Sequence, residues 1–335
     1  MEKNTVTIYD VAREAEVSMA TVSRVVNGNP NVKPSTREKV KDVIKRLNYR
    51  PNAVARGLAS RKTTTIGVII PDVTNLYFSS IARGVDDVAS MYKYNIFLAN
   101  SDGEERKETR VLQTLLAQQV DGVIFMGHTI SDYLREEIRL SDKPVVLAGT
   151  VDPKSEFSSV NIDHQAAVRD AVEKLAQNGN EKIALVTNDK HYPIDETLRM
   201  NGYREGIENA GLTFADDRVI RTPYTYEQGE KVFNKLQELG ATAAVVTSDL
   251  LAVSVVGAAL DQGKKVPEDF EIITSDNSPL SEIIRPQLST IKQPLYDIGA
   301  VSMRLLTKLM GEQEENDLDR HFELPYKIDE RLTTK

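Results

Sequence analysis

The 335 residues contain no cysteine and only four histidines, His128, His164, His191 and His321. Disulfides, thiolate metal ligands, iron–sulfur clusters and thiol nucleophiles are therefore excluded. The imidazoles are too scattered to suggest a metal site by spacing. Runs of about 18 apolar residues, the length a membrane-spanning helix needs, are also missing. The longest apolar stretches, such as Ile66–Ile70 and Ala243–Val246, are far shorter. Met1–Asp10 is polar and lacks the apolar centre of a secretory signal, so a cytoplasmic chain is expected. Catalytic signatures are lacking as well: there is no GxSxG, no HExxH, and no GxGxxG after the first expected strand. Gly257–Lys264 imitates a phosphate loop, but its glycines are spaced too widely, and it reads as a helix end with Gly263 in the left-handed position. No enzymatic activity is expected.

What is present is a sharp asymmetry of charge. The chain carries 42 Lys+Arg and 50 Asp+Glu, for a net −8. Residues 1–62 hold 13 basic and 6 acidic groups, a net +7, which leaves −15 on the remainder. A basic head on an acidic body suits a module that neutralises phosphates while the body resists non-specific adhesion. A solvated basic surface with no partner has the same composition.

The head reads as short helices with tight turns. Thr7 caps a helix over about Ile8–Glu14, and Ser18 caps a second through about Val26, ended by Asn27-Gly28-Asn29-Pro30. Pro34-Ser35 opens a third to about Asn48, with Val40, Ile44 and Leu47 inward. Two short helices joined by a tight turn form a helix-turn-helix, whose second helix enters the DNA major groove. There Met19, Ala20 and Arg24 share a face, and Arg24 can donate two hydrogen bonds to guanine. Val22, Val25 and Val26 turn inward, while Thr7, Ser18, Thr21 and Ser23 offer hydroxyls for phosphates or caps. An ordinary pair of helices with a surface-paired Arg24 fits the same pattern. Tyr49–Ser60 is short, basic and contains Gly57, so it is expected to be unfolded before DNA arrives. Leu58 would then be an apolar wedge for a minor groove, or alternatively would cover a neighbouring surface.

From Ile66 onward, β-branched runs alternate with amphipathic stretches of 10–16 residues. The expected strands are Ile66–Pro71, Ile96–Ala99, Gly122–Met126, Val145–Ala148, Ile183–Thr187, Ala243–Thr247 and Ile272–Thr274. Such alternation predicts an α/β fold of βαβ units with parallel sheets, either one large sheet or two lobes. Asn188–Ile194 leaves room for a cleft wall, and Glu312–Asp319 is an acidic loop.

The stretches IYDVAREAEVSMATVSRVVNGNPNVKPSTREKV, YRPNAVARGLAS, QQVDG and QPLYDIGAVSMRLLTKLM resemble the LacI–GalR family of bacterial repressors, and the likeness runs over essentially the whole chain. The resemblance implies a helix-turn-helix DNA-binding head (1–51), a hinge helix and linker (52–62), and two periplasmic-binding-protein-like lobes with parallel sheets. These lobes would comprise 63–161 plus 291–322 and 162–290 plus 323–335. It implies a homodimer on a pseudo-palindromic operator, contacted by Thr7, Tyr9, Ser18, Met19, Ala20, Thr21, Ser23, Arg24, Asn31, Asn52, Ala55 and Leu58. The match is strongest to a branch serving carbon catabolite repression, which represses many genes and activates some. Its corepressor is the phosphocarrier protein HPr phosphorylated on a serine. By that resemblance Arg304 and Lys308 would meet the phosphoserine beside Tyr296, Asp297, Val301, Met91 and Tyr92. Asp297, Val301, Arg304 and Lys308 also fall on one helical face by spacing, as an ordinary amphipathic helix would have them. Family positions matching Tyr77, Phe78, Arg199, Tyr224 and Asp276 would line an interlobe cleft for a sugar-phosphate effector; packing of Tyr77, Phe78 and Tyr224 at the lobe interface, with no effector, fits the same residues. The competing reading is a cytoplasmic sugar-binding or sugar-metabolising protein with a helical appendage.

Overall fold

The computed structural model describes residues 6–50, 62–311 and 319–335. The chain divides into two compact units, Met1–Thr63 and Thr64–Lys335.

In the first unit the expected caps set the helix ends. The Thr7 hydroxyl accepts from the Asp10 N–H and the Asp10 carboxylate accepts from the Thr7 N–H, which starts α1 (Ile8–Glu14) with a reciprocal capping box. The Ser18 hydroxyl accepts from Thr21 N–H and starts α2 (Met19–Val26). Pro34 stands in the first turn of α3 (Pro34–Leu47), and Asn48 ends it in the left-handed conformation. Val11, Ala12, Ala15, Val22, Val25, Val32, Val40 and Val43 form a small core. Val43 takes the fully inward place expected of Ile44 and Leu47, which are half-buried.

Among its described residues the second unit holds two six-stranded sheets, where the sequence suggests seven strands in all. The first lobe contains β1 (Thr65–Ile70), β2 (Asn95–Asn100), β3 (Gly122–Phe125), β4 (Val145–Ala148) and β5 (Ser158–Asn161), ordered with β11 (His321–Glu323) as β11-β5-β4-β3-β1-β2. The second contains β6 (Ile183–Thr187), β7 (Val219–Arg221), β8 (Ala243–Val246), β9 (Glu271–Thr274), β10 (Ser289–Lys292) and β12 (Lys327–Asp329), ordered β12-β10-β9-β8-β6-β7. All pairings are parallel except β10 with β12. Helices α4 (Leu76–Met91), α5 (Glu105–Ala117) and α6 (Asp132–Leu140) belong to the first lobe. The second has α7 (His164–Gln177), α8 (Met200–Asn209), α9 (Gly229–Glu238), α10 (Asp249–Asp261) and the short α11 (Leu280–Ile283). A final helix, α12 (Leu295–Leu309), returns to pack on α4.

The sheets correct the expected lobe limits. A cut at 290/291 would split β10, which pairs entirely within the second sheet, and a cut at 322/323 would split β11, which pairs entirely within the first. Hydrogen-bonded strands move as units, so the crossings fall between 161 and 164, 292 and 295, and 323 and 327.

Two glycines let α4 and α12 touch backbone to backbone. A Cβ on Gly84 would lie 2.0 Å from the Tyr296 carbonyl oxygen, and one on Gly299 would lie 1.9 Å from that of Ile81. Gly299→Ala should therefore force the helices apart at a cost of about 1–3 kcal/mol. Thermal denaturation checks this: an unchanged melting temperature would show that the close approach does not exist.

Candidate nucleic-acid interface and partner faces

Recognition by a helix requires side chains that stand clear of their own core. In α2, Val22 and Val25 are buried, whereas Met19, Ala20 and Arg24 are exposed. Among the described residues, none forms an ion pair with Arg24, so its guanidinium is available to an outside acceptor. Tyr9 on α1 is 67 % exposed, an unusual place for an aromatic without a partner. The Ser18 and Thr21 hydroxyls lie 2.9 Å apart at the start of α2, and Ser23 accepts from the Asn27 amide. Asn31 is exposed beyond the following turn. An α-helix of about 10–12 Å diameter matches a major groove about 12 Å wide. Asn52, Ala55 and Leu58, expected to contact DNA from the hinge, lie outside the described residues.

A second face arises where α4 and α12 pack. Both helices end at the sheet edge where strands begin. Tyr94 N–H bonds to Ala89 O as α4 turns into β2, and a Cβ on Gly122, the first residue of β3, would meet Leu306 of α12 and Met310, which caps that helix. Ile66 pairs with Ile96 of β2 and Gly122 of β3, so these ends are neighbours. Met91 and Tyr92 therefore stand at the same end of the lobe as Arg304 and Lys308, and all four are exposed. Val301 is half-buried; Tyr296 and Asp297 are exposed nearer the start of α12, with Tyr296 donating to Asp87 Oδ2 of α4. Exposed Met and Tyr beside two cations can supply apolar contact and anion recognition together.

The cleft between the lobes gathers Tyr77, Phe78, Arg199, Tyr224 and Asp276 around one cavity, as expected. Residues that sequence reasoning did not single out complete it. A π-helical turn, Ile194–Arg199, aims Asp195 and Arg199 inward, and Arg199 donates to Asp195 Oδ1 at 2.8 Å. The same oxygen accepts from Thr187 at 2.7 Å and from Tyr224 at 3.2 Å, and Tyr224 meets Thr247 at 2.5 Å. Asp249 accepts from Thr274, Ser278 and the Asp276 N–H, while Asp276 accepts from the Asp249 N–H. Burial, then the neighbouring Asp249 charge, raises the Asp276 carboxyl, and burial raises that of Asp249 as well. These side chains leave only about 50 Å³ of free space, room for a water or two. Among the described residues, Arg199 is the one Lys or Arg lining the cavity, and it is paired with Asp195. The expected residues line this cavity.

Residues 7–52 match the family model "Bacterial regulatory proteins, lacI family", and residues 172–334 match "Periplasmic binding protein-like domain". The chain is 52 % identical to catabolite control protein A of Streptococcus mutans, covering 99 % of both chains. It is 49 % identical to catabolite control protein A of Priestia megaterium over 98 % of this chain and 99 % of that one. Among solved structures it resembles the transcription regulator CcpA of Lactococcus lactis, with 46 % identity, a TM-score of 0.77, and coverage of 81 % of this chain and 99 % of that one. The lac repressor dimer bound to operator and the anti-inducer ONPF matches with 26 % identity and a TM-score of 0.87 over 99 % of both chains.

Proposed function

The chain belongs to the lacI family of bacterial regulatory proteins, and from that membership we propose that it governs carbon catabolite repression as a homodimer on pseudo-palindromic operators, with serine-phosphorylated HPr as corepressor. That it is a transcription regulator rather than an enzyme follows from its relatives, and the sugar-metabolising alternative falls with that. Cytoplasmic action accords with such a role; no helix among the described residues is long and apolar enough to cross a membrane.

The observation that carries the reading is the pairing of two exposed surfaces: Met19, Ala20 and Arg24 on α2, and Met91, Tyr92, Arg304 and Lys308 at one end of the first lobe. A phosphoserine near charge −2 needs cations flanked by contact area, and the second surface offers both. Dimerisation is supported by apolar side chains left in water, among them Phe97 and Leu98 on the edge strand β2, and Leu250 and Ile283 in the second lobe. Two-fold symmetry of the protein would then match that of the operator. A sugar phosphate remains the effector proposed for the cleft, admitted only on opening.

The test is a titration of a pseudo-palindromic duplex at fixed salt, with and without serine-phosphorylated HPr. Tighter binding with the phosphoprotein is expected. Arg304→Ala should remove about 1.5–3 kcal/mol of that coupling, the worth of a charged hydrogen bond, while leaving binding to DNA alone unchanged. Enhancement that survives Arg304→Ala would discard the assigned face, and no enhancement at all would discard the corepressor.

A further inference from the structure

At the mouth of the cleft the two lobes meet ring against ring. His128 follows β3 in the first lobe, and Tyr192 stands in the loop after β6 in the second. Their rings stack at 4.4 Å between centroids with 15° between planes. Phe78 backs His128 edge-on at 5.7 Å and is itself met edge-on by Tyr77 at 5.1 Å. A column Tyr77–Phe78–His128–Tyr192 thus runs from one lobe into the other.

The far end of that column is anchored. The Tyr192 carbonyl accepts from the N–H groups of Asp195 and Glu196, each at 2.9 Å, and so leads into the π-helical turn that bears Asp195 and Arg199. The same two rings face the vestibule of about 500 Å³ outside the filled inner chamber. Burial keeps His128 neutral at physiological pH, so stacking involves no charge to desolvate. Because the partners belong to different lobes, the contact exists only while the lobes are together.

We propose that the His128–Tyr192 stack is a clasp that holds the lobes closed over the cleft without any ligand. Entry of a small molecule to the inner chamber then requires the rings to separate, whatever that molecule is. The clasp does not rest on the proposed effector. A specific aromatic pair shifts such an equilibrium by about two- to twelvefold, converted from its usual contribution.

The absence of cysteine makes the measurement direct. Arg110→Cys on α5 and Lys231→Cys on α9, both exposed, take one spin label in each lobe of the full chain. The interlobe distance distribution is then read without DNA or ligand. The parent is expected to be closed, Tyr192→Ala to raise the open fraction about two- to twelvefold, and Tyr192→Phe to restore the parent distribution. His128→Ala should match Tyr192→Ala, and the double variant should be no more open than either. An unchanged distribution in Tyr192→Ala overturns the clasp, as do single effects that add fully in the double. If Tyr192→Ala does not fold, Tyr192→Leu keeps apolar volume without the ring and decides by the same criterion.

Discussion

Arg24→Ala is expected to remove about 1–3 kcal/mol of operator discrimination per half-site, the worth of a bidentate contact to guanine. A homodimer uses the residue twice, so the full loss is about 2–6 kcal/mol if the half-sites act independently. The argument is geometric. Arg24 is exposed on α2, one turn beyond Ala20 on the same face, and Val22 and Val25 anchor the other side of that helix in the head core. Truncation at Cβ leaves that core and both caps untouched, so the helix remains. Affinity for a scrambled duplex should fall far less, because phosphate contacts supply most of that binding. Binding isotherms on operator and scrambled duplexes at one salt concentration separate these terms. Equal losses on both would reassign Arg24 to phosphate contact, and no loss on either would remove α2 as the reading helix.

The second large effect concerns stability. Arg135 on α6 makes two parallel bonds to Asp152, from Nη2 to Oδ1 at 2.8 Å and from Nη1 to Oδ2 at 3.3 Å, with side chains only 3 % and 2 % exposed. Glu156 adds a second carboxylate, and the Phe157 ring lies against the guanidinium with its centroid 5.4 Å away. Arg135→Met keeps apolar bulk but strands these carboxylates, and should cost about 3–5 kcal/mol in urea unfolding at pH 7. Burial by itself would raise the Asp152 carboxyl, but bonds from Arg135 and from the Glu156 and Lys154 N–H groups outweigh it and hold the pKa at about 2. A depressed carboxylate contributes stability above its unfolded value, 3.8, and that contribution is lost as pH falls through about 2. The difference between the parent and Arg135→Met should therefore be full at pH 7 and shrink below about pH 4. A difference under about 1 kcal/mol at pH 7, or one that does not change with pH, would show that the pair is incidental. Adding Asp152→Asn to Arg135→Met should recover part of the loss, since the stranded charge is what costs most.

Legibility followed local physics. Thr7, Ser18 and Pro34 announce helix starts by their own hydrogen-bonding and φ preferences, and the three helices among the described residues of the head begin there. Strands β1, β3, β4, β6, β8 and β9 are central and buried on both faces, which requires the continuous apolar runs by which they were found. β5, β7, β11 and β12 escaped because their residues alternate or are partly exposed, and buried β10 escaped because Ser289, Thr290 and Lys292 leave it no apolar run to detect. Exposed β2 was found from Ile96–Ala99, though it lies at a sheet edge where the apolar run signals an unpaired surface rather than a core.

In the cleft, Tyr77, Phe78, Arg199, Tyr224 and Asp276 came from family likeness, whereas Asp195 had a readable signal in its four-residue spacing to Arg199. His128 and Tyr192 had none. They are 64 residues apart in sequence and meet only because two sheets are brought together by three crossings.

By itself, then, the sequence determined the class of elements, the helix starts, the charge division between head and body, and the set of side chains exposed on α2. Each depends on residues within a turn or two of one another, where propensity and periodicity act. Tertiary structure alone decided the lobe boundaries, the common end shared by Met91, Tyr92, Arg304 and Lys308, and the filling of the cleft by its own network. Those depend on which strands pair and how closely two helices approach. Such choices are made by long-range packing, with Gly84 and Gly299 allowing a contact that no local pattern encodes.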